Sequence, residues 1–301
     1  MPLTYVSHQV PALAAKLARP AWFDGTALAL GSMSPDWPFA FAGTRLETNA
    51  HNTRGVLMLC VPASVLAAVA ARRLAFAASY LPEFRGLPLR RLALVGERRP
   101  PLAVTVASAL AGAWSHVAWD SFTHDGRWGA RRVRWLAAPH QVGGRAVTGA
   151  FVAQHTSTVV GGVVGLVLLS RVLRSGAEGS AAGVAPGAVT PRRAGEVARP
   201  DAGSDRALAG PVGVLARPER PLARPGGVLA EAGGGLRPGA GSFWGAVAVG
   251  TAAGVGWGCR GGWDGRLDIA VLVIRTSCGT AAGAVVGALR TRRKLRAPAS
   301  A

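Results

Sequence analysis

The chain has 301 residues, of which 50% are hydrophobic and 16% are charged, and its mean hydropathy is +0.27. A soluble globular domain carries about a quarter charged residues, so this composition argues against a soluble protein. The net charge of +19 would suit a nucleic-acid partner, but the basic residues cluster at the ends of apolar blocks and do not line an aromatic-studded groove. We therefore expect membrane lipid, and not nucleic acid, as the partner.

The first 54 residues contain no apolar block long enough to cross a bilayer. Asp24 and Asp36 bracket eleven uncharged residues, which begin at Gly25. A crossing helix needs about 20 apolar residues, so this stretch is too short. It predicts a half-helix or an interfacial segment that ends at Ser34-Pro35-Asp36.

Five apolar blocks separated by charged residues follow in the chain. A span needs at least about 17 residues, so the first block is marginal, the next three are adequate and the last is interrupted by Arg275. The predicted fold class is therefore all-α, a polytopic membrane helical bundle of about five spans. The blocks are residues 55–71, 100–119, 146–170, 238–259 and 269–289.

Between the third and fourth blocks the composition changes to Ala, Gly, Pro and Arg, with almost no aromatic residues. Such a segment cannot bury enough apolar area to offset the entropy lost on ordering, so residues 175–241 are predicted to form a long disordered loop. The chain is thus expected to divide into a His/Asp-containing membrane core at 1–174, this loop, and a C-terminal part at 242–301 with two spans and a basic tail.

The positively charged residues predict the orientation of the spans. The stretch from Arg72 to Arg99 contains seven Arg, and the tail after Leu289 contains five basic residues. With five spans both lie on one side, which the positive-inside rule makes cytoplasmic. The N-terminal segment and the loop from Asp120 to Arg145 are then expected to face outward, although that loop itself contains five Arg.

The segment from Ser115 to His124 carries the clearest functional pattern. On a helix, His116, Asp120 and His124 lie on one face, because residues four apart are neighbours. Two imidazoles and a carboxylate can bind a divalent metal such as zinc, and ionisable groups this deep in apolar sequence by default mark a working site. The predicted metal ligands are His8, Asp36, His51, His116, Asp120, His124 and His155.

Two ions would divide these ligands. We expect His51, His116 and Asp120 to hold the first, because His51 precedes the first span and reaches the same membrane face. The second would be held by His124, Asp36 and either His8 or His155. His140 is expected to be an ordinary loop residue, and Arg275 to line a polar interior or to snorkel, with the binding of a substrate phosphate as a lesser alternative. The tryptophans expected to anchor the membrane interface are Trp114, Trp119, Trp128 and Trp135.

Three functions are compatible with this pattern. The first is a metal-dependent hydrolase that acts on a phosphoester at the membrane face. The second is a transport or metal-handling protein whose buried His and Asp pass protons or ions. The third is a scaffold whose polar residues only lock the packing of the helices.

Five short motifs occur in an order that resembles a bacterial membrane family, domain of unknown function 4184. The resemblance covers roughly residues 1–170 and implies a multi-pass protein of the bacterial cytoplasmic membrane, without bringing a known activity. The motifs are Pro2–His8, Gly31–Asp36, His51–Gly55, Ser115–His124 and Gln154-His155.

A more distant resemblance points to hydrolysis. The Pro-Asp turn and the His-x-x-x-Asp helix are similar to those of LexA-binding, inner-membrane-associated hydrolases. The order of His and Asp is also similar to zinc-dependent phospholipases C, which implies zinc and the cleavage of phosphodiesters. In those enzymes a Glu ligand follows the last His by four residues, whereas Val159 stands there in this chain.

Overall fold

The computed structural model describes residues 5–181, 239–260 and 269–296. Contacts divide the chain into one unit of Met1–Glu178 with Gly235–Ala301 and a second of Gly179–Gly234, and all the predicted site residues belong to the first. Most of the predicted disordered loop, 182–238, lies outside the described residues. Its predicted ends are helical, since residues 175–181 continue one helix and Ala240 begins the next. The division into core, loop and C-terminal part stays a prediction.

The described N-terminal part consists of short helices without a full span. Helix α1 is Tyr5–Ala18, and helix α2 is Gly25–Met33, capped by Asp24, whose carboxylate accepts two amides of the first turn. A 3-10 helix, Ser34–Phe41, follows directly. Its prolines at 35 and 38 lack the amide hydrogen that an α-helix would use. Helix α2 thus ends where the short uncharged stretch predicted.

A continuous helix then runs from Thr53 to Tyr80. The sequence predicted only 55–71, because the charge of Arg72 was taken to end the block. In the structure Arg72 pairs with Asp24, and both side chains are largely buried. The charge is therefore compensated, and the helix continues past it. Its parts are α3 Thr53–Gly55, a π-helical turn Val56–Cys60, α4 Val61–Leu74 and a 3-10 turn Ala75–Tyr80.

Helix α5, Leu102–Thr123, is the second span, preceded by a 3-10 helix at Leu89–Glu97. It crosses α2 at two glycines. A Cβ atom on Gly31 would lie 2.3 Å from the carbonyl oxygen of Ala109, and one on Gly112 would lie 2.2 Å from that of Leu28. The two backbones therefore touch, as small residues allow in membrane helices.

A compact segment joins α5 to the next span. It contains α6 Trp128–Arg132, α7 Arg134–Ala137, and a hairpin of β1 Pro139–Val142 paired antiparallel with β2 Arg145–Thr148. The turn consists of two glycines, 143 and 144, with φ of +57° and +77°, a conformation that favours glycine. The sequence did not predict this hairpin, and His140, expected in a loop, lies in β1. The third span, α8, is Gly149–Ala181.

The last two described helices are α9, Ala240–Gly258, and α10, Ile269–Arg296. They pack through glycines, and a Cβ atom on Gly279 would lie 2.2 Å from the carbonyl oxygen of Gly250. Ring contacts mark where α9 lies. Near its start Phe243 stacks on Tyr80 at 5.3 Å, and near its end Trp257 lies 5.0 Å from the guanidinium carbon of Arg275.

Four described helices are long and apolar enough to cross a membrane. Helix α9, which covers the fourth predicted span, is not among them. Four of the five predicted spans thus meet the requirements of length and composition, and α9 packs antiparallel along the last of them. The molecule is a helical membrane bundle, and the fold class is confirmed. The candidate spans are Thr53–Tyr80, Leu102–Thr123, Gly149–Ser175 and Val271–Arg293.

Candidate metal centre

Four ionisable side chains converge where the first span begins and the second ends. Asp36 lies in the 3-10 helix, His51 precedes α3, and His116 and Asp120 are one turn apart in α5. One ligand atom from each lies within 4.8 Å of all the others, and no other group of this kind occurs in the described part of the chain. The Nε2 atom of His51 is 3.3 Å from Asp36 Oδ1 and 3.2 Å from Asp120 Oδ2. The Nε2 atom of His116 is 3.4 Å from the same two oxygens.

Local hydrogen bonds place His51 in this group. The side chain of Asn49 accepts the amide of His51 at 2.9 Å, and the side chain of Asn52 accepts the amide of Gly55 at 2.8 Å. The second of these bonds is an N-cap that starts the first span. His51 is thereby held in the bend just before the helix that begins at Thr53, close to Asp120 in the last turn of α5.

The cluster is buried. His116 is 1% exposed, and Asp36 and Asp120 are each 4% exposed. Two carboxylates that share one buried site repel each other, and burial removes the water that would otherwise solvate them. The arrangement therefore needs positive charge between the carboxylates.

The tautomer of His116 shows where this charge belongs. Its Nδ1 lies 2.7 Å from the backbone carbonyl oxygen of Ser32. A carbonyl only accepts, so Nδ1 carries the hydrogen, and in the neutral ring Nε2 presents a lone pair. That buried Nε2 makes no hydrogen bond within the described residues and faces two carboxylate oxygens. Either a second proton on the ring or a metal cation satisfies this geometry. A histidine fixed by a backbone carbonyl is the usual arrangement of a metal ligand.

The pKa shifts of the two cluster residues outside the spans, Asp36 and His51, agree with a charged cluster. Burial opposes ionisation of Asp36, but the interactions of its carboxylate with the His116 and His51 rings outweigh burial, so the pKa of this carboxyl lies below its ordinary value. Burial also lowers the pKa of His51, but hydrogen bonds to Asp120 and Asp36 outweigh it and raise that pKa above its ordinary value. In the metal-free protein, His51 is thus favoured as a cation beside ionised carboxylates.

The second oxygen of Asp120 faces two more histidines. His8 Nε2 donates a hydrogen bond to Asp120 Oδ1 at 2.9 Å, and its ring stacks on His116 with centroids 4.2 Å apart. His124 Nδ1 lies 3.4 Å from the same oxygen. Burial lowers the pKa of His124, and the charge of Arg127 adds to this shift against the opposing charge of Asp120. Asp120 is therefore the residue through which His8 and His124 contact the four-residue cluster.

Three predicted placements differ in the structure. Asp36 joins the first group of ligands and not the second, because the 3-10 helix turns its carboxylate towards His51. His124 does not continue the α5 face, because the backbone leaves the helix there, with φ −119° and ψ 135°. His155 is apart from the others: it is exposed, and its Nδ1 donates to the carbonyl of Phe151 at 2.9 Å.

Sequence reasoning missed two neighbours of the cluster. One is the Ser32 carbonyl, which fixes His116 and which no side-chain pattern reveals. The other is Gln154, which is buried and whose side-chain amide donates to His124 Nε2 at 3.0 Å. The Gln-His motif did signal this position, but its inward-facing residue is Gln154 and not His155.

Arg275 supports the cluster from the C-terminal helices. It is 3% exposed and donates from Nε to the carbonyl of Ala40 at 3.0 Å and from a terminal nitrogen to that of Ala42 at 2.7 Å. Its other terminal nitrogen donates to the carbonyl of Trp257 at 3.1 Å. The expected polar interior is therefore formed by backbone carbonyls, two of them at the end of the segment that carries Asp36.

The fold and this cluster define a helical membrane protein with a His/Asp group that could hold a metal ion. A family model described as domain of unknown function (DUF4184) matches residues 1–198, and the chain belongs to this family. No curated protein and no solved structure matches the chain. The family membership predicted from the motif order is thus confirmed, over more of the chain than the motifs themselves covered.

Proposed function

We propose that this protein is a metal-dependent hydrolase of phosphoesters in the bacterial cytoplasmic membrane, with zinc as its ion. The observation that carries the proposal is the buried Nε2 atom of His116, which makes no hydrogen bond within the described residues and lies 3.4 Å from each of two carboxylate oxygens. Two imidazoles and two carboxylates form a donor set that suits zinc. Its four members are Asp36, His51, His116 and Asp120.

Each residue has a distinct part in this proposal. The four clustered side chains hold the ion, and the Ser32 carbonyl keeps His116 in the tautomer that binds through Nε2. When bound, a divalent cation supplies Lewis acidity, lowering the pKa of water and offsetting charge on a phosphoryl oxygen. His8 holds the other oxygen of Asp120 in place. His124, with its lowered pKa, can accept or return a proton beside it.

The choice of hydrolysis rests on two distant resemblances of the sequence. The Pro-Asp turn and the His-x-x-x-Asp helix, which resemble those of LexA-binding, inner-membrane-associated hydrolases, supply Asp36, His116 and Asp120 to the cluster. The likeness to zinc-dependent phospholipases C ends at Val159, which stands where those enzymes have a Glu ligand and is 70% exposed. A ligand at that position would point away from the cluster, so the proposal does not include a third site there.

One observation favours a second function, the transport or handling of metal ions. The side chains of Asp36, His51, His116 and Asp120 are only 1–6% exposed, so the cluster is closed to a large substrate. Buried His and Asp at the end of two spans suit an ion or proton path as well as a reaction centre. Gradient-driven zinc flux into vesicles containing the purified protein would favour this second function over hydrolysis.

Removal of single ligands tests the proposal. His116→Ala and Asp120→Ala should each abolish the tightly bound zinc measured by mass spectrometry of the detergent-purified protein, because losing one of four ligands removes a strong bond and unbalances the remaining charges. Both variants should also lose hydrolysis of a phosphodiester with a chromogenic leaving group. His140→Ala, in β1, and His155→Ala, on the exposed face of α8, are the controls and should keep wild-type zinc.

Three outcomes would contradict the proposal in different ways. Wild-type zinc in both ligand variants would exclude the metal site itself. Zinc bound by the wild type and lost in the variants, without hydrolysis and with zinc flux, would keep the site and replace the hydrolase by a transporter. A loss of thermal stability of about 1 kcal/mol, with no zinc in the wild type, would identify the polar cluster as a packing element.

A further inference from the structure

The segment that joins α5 to α8 has a composition unlike the rest of the bundle. We call residues 125–148 the arginine arm; it contains α6, α7 and the hairpin. It has five Arg and one acidic residue, Asp125, so its net charge is +4 with His neutral (five minus one). Asp125 is engaged within the arm, since its carboxylate accepts a hydrogen bond from Thr148. The Arg residues are Arg127, Arg131, Arg132, Arg134 and Arg145.

Within the described residues, the arginines of the arm have no acidic partner. All five Arg are exposed. Arg72 and Arg90, which do form ion pairs, lie outside the arm. Arg132 lies instead over the ring of Trp128, 5.3 Å from its centroid. The arm is thus an uncompensated positive surface.

Large apolar side chains are exposed beside these charges. Trp128 is 59% exposed and Trp135 is 52% exposed. Tryptophan favours the headgroup level of a bilayer, where its ring is partly apolar and partly hydrated. The arm starts two residues after the end of α5 and ends where α8 begins, so both of its ends lie at one end of two membrane spans.

The arm is also held in position. A Cβ atom on Gly129 would lie 2.8 Å from the carbonyl oxygen of Ser121, and one on Gly149 would lie 2.1 Å from that of Trp135. The amide of Gly149 donates to the carbonyl of Ala138 at 3.1 Å. Close backbone contacts therefore press the arm against the ends of α5 and α8. Its Arg and Trp side chains form a defined surface.

We propose that the arginine arm is a docking surface for the phosphate headgroups of anionic phospholipids. Five exposed guanidinium groups complement anionic phosphate, and the interleaved Trp side chains fit the boundary between headgroups and acyl chains. A protein or nucleic-acid partner would not explain why the charges and the tryptophans occur together at the ends of two spans. The surface begins beside His124, because the amide of Arg127 donates to the backbone carbonyl of His124 at 3.3 Å, and an anionic headgroup bound there would lie next to the His/Asp cluster.

The proposal does not depend on a bound metal or on hydrolysis, and it is tested by lipid binding alone. The full-length protein is reconstituted into vesicles of phosphatidylcholine with increasing phosphatidylglycerol, the latter brominated so that it quenches nearby tryptophan. The quenching removed by Trp128→Phe together with Trp135→Phe measures lipid at the arm. In the wild type, this quenching should saturate at a lower fraction of brominated phosphatidylglycerol than of brominated phosphatidylcholine. The quenching by phosphatidylglycerol should weaken as the salt concentration is raised.

Charge variants then separate this surface from general membrane charge. Replacing Arg131, Arg132 and Arg134 together by Gln should weaken the preference for phosphatidylglycerol by about tenfold or more, because each basic residue near the surface contributes to the attraction. Replacing the same three by Lys should retain most of the preference. The matched control, Gln at Arg85, Arg98 and Arg99, alters three exposed Arg before α5 and should leave quenching at the arm unchanged.

Three results would overturn the proposal. The first is equal quenching by the two lipids in the wild type. The second is an unchanged preference in the Gln variant, provided that its circular dichroism and elution match the wild type. If that variant does not fold, a salt-independent preference in the wild type is the equivalent result. The third is displacement of the lipid by millimolar inorganic phosphate, which would identify a site for free phosphate instead of a lipid surface.

Discussion

Arg275 stabilises the end of the 3-10 helix Ser34–Phe41. Asp36 lies in the first turn of this helix, and Ala42 follows directly after its last residue. The guanidinium of Arg275 binds the carbonyls of Ala40 and Ala42 and also that of Trp257. A planar group with five donors can connect three carbonyls at once, which a lysine ammonium does less well. We therefore expect Arg275 to position Asp36 although it does not touch the carboxylate.

The prediction at this scale concerns metal affinity. Arg275→Met should weaken zinc binding by about 10- to 100-fold, the usual effect of losing a group that orients a metal ligand. Competition with a chromogenic chelator measures it, and Arg275→Lys should recover part of the loss. Ser277→Ala, an exposed position on the same helix, serves as the control. Unchanged zinc affinity in Arg275→Met would limit this residue to the packing of α9, α10 and the 3-10 helix.

At the scale of helices, glycines decide how closely the elements that carry ligands approach each other. Gly31 and Gly112 bring α2 onto α5, and the Ser32 carbonyl reaches His116 only because these backbones touch. Gly161 of α8 does the same for α1, since a Cβ atom there would lie 2.6 Å from Cβ of Ser7. His8 is the next residue, so the α1–α8 crossing determines its distance from Asp120.

Two neighbouring glycines of α8 provide a matched test. Gly161→Ala should destabilise the protein by about 1–3 kcal/mol, because the new methyl group overlaps Ser7 and pushes α1 away. Gly162→Ala meets no atom within 4 Å and should be neutral or stabilising by up to about 1 kcal/mol, since alanine is the better helix former. Thermal unfolding in detergent compares the two, and equal stability of the variants would show that the crossing tolerates a methyl group.

For the whole molecule, the spans bring the ligands to one face. His51 lies just before the first span begins, and Asp120 lies in the last turn of the second, so an antiparallel pair places both at the same end. Helix α9 begins beside Tyr80, at the other end of the first span, and Arg275 of α10 lies beside Ala40. These two contacts place the start of α9 at the end of the first span, and Arg275 of α10 near the segment that carries Asp36.

Reporter fusions test the orientation of this arrangement. With five crossings, α9 included, fusions after Arg85 and after Ala301 should score cytoplasmic, and a fusion after Trp128 should score external, because the loop before α5 and the C-terminal tail carry the positive charge that stays inside. A cytoplasmic signal at Trp128 would reverse the orientation and place the His/Asp cluster and the arginine arm on the inner face.

The sequence by itself determined the membrane helices and the juxtaposition of His116 and Asp120. The length of an apolar block is a local property, and a spacing of four residues brings His116 and Asp120 together on any helix. The same local rules overestimated the effect of Arg72, which ended a predicted span but is neutralised by a residue 48 positions away. They also missed the hairpin, whose strands are short and mostly exposed.

Only the tertiary structure decided which atoms meet. Whether Asp36 joins His51, whether Gln154 or His155 faces inward, and whether Arg275 reaches the 3-10 helix all depend on how helices are rotated and how closely they approach. Those quantities follow from contacts such as Gly31 with Ala109, between residues far apart in the chain. Periodicity along the sequence carries no information about them, because rotation and approach are set by the partner helix and not by the helix itself.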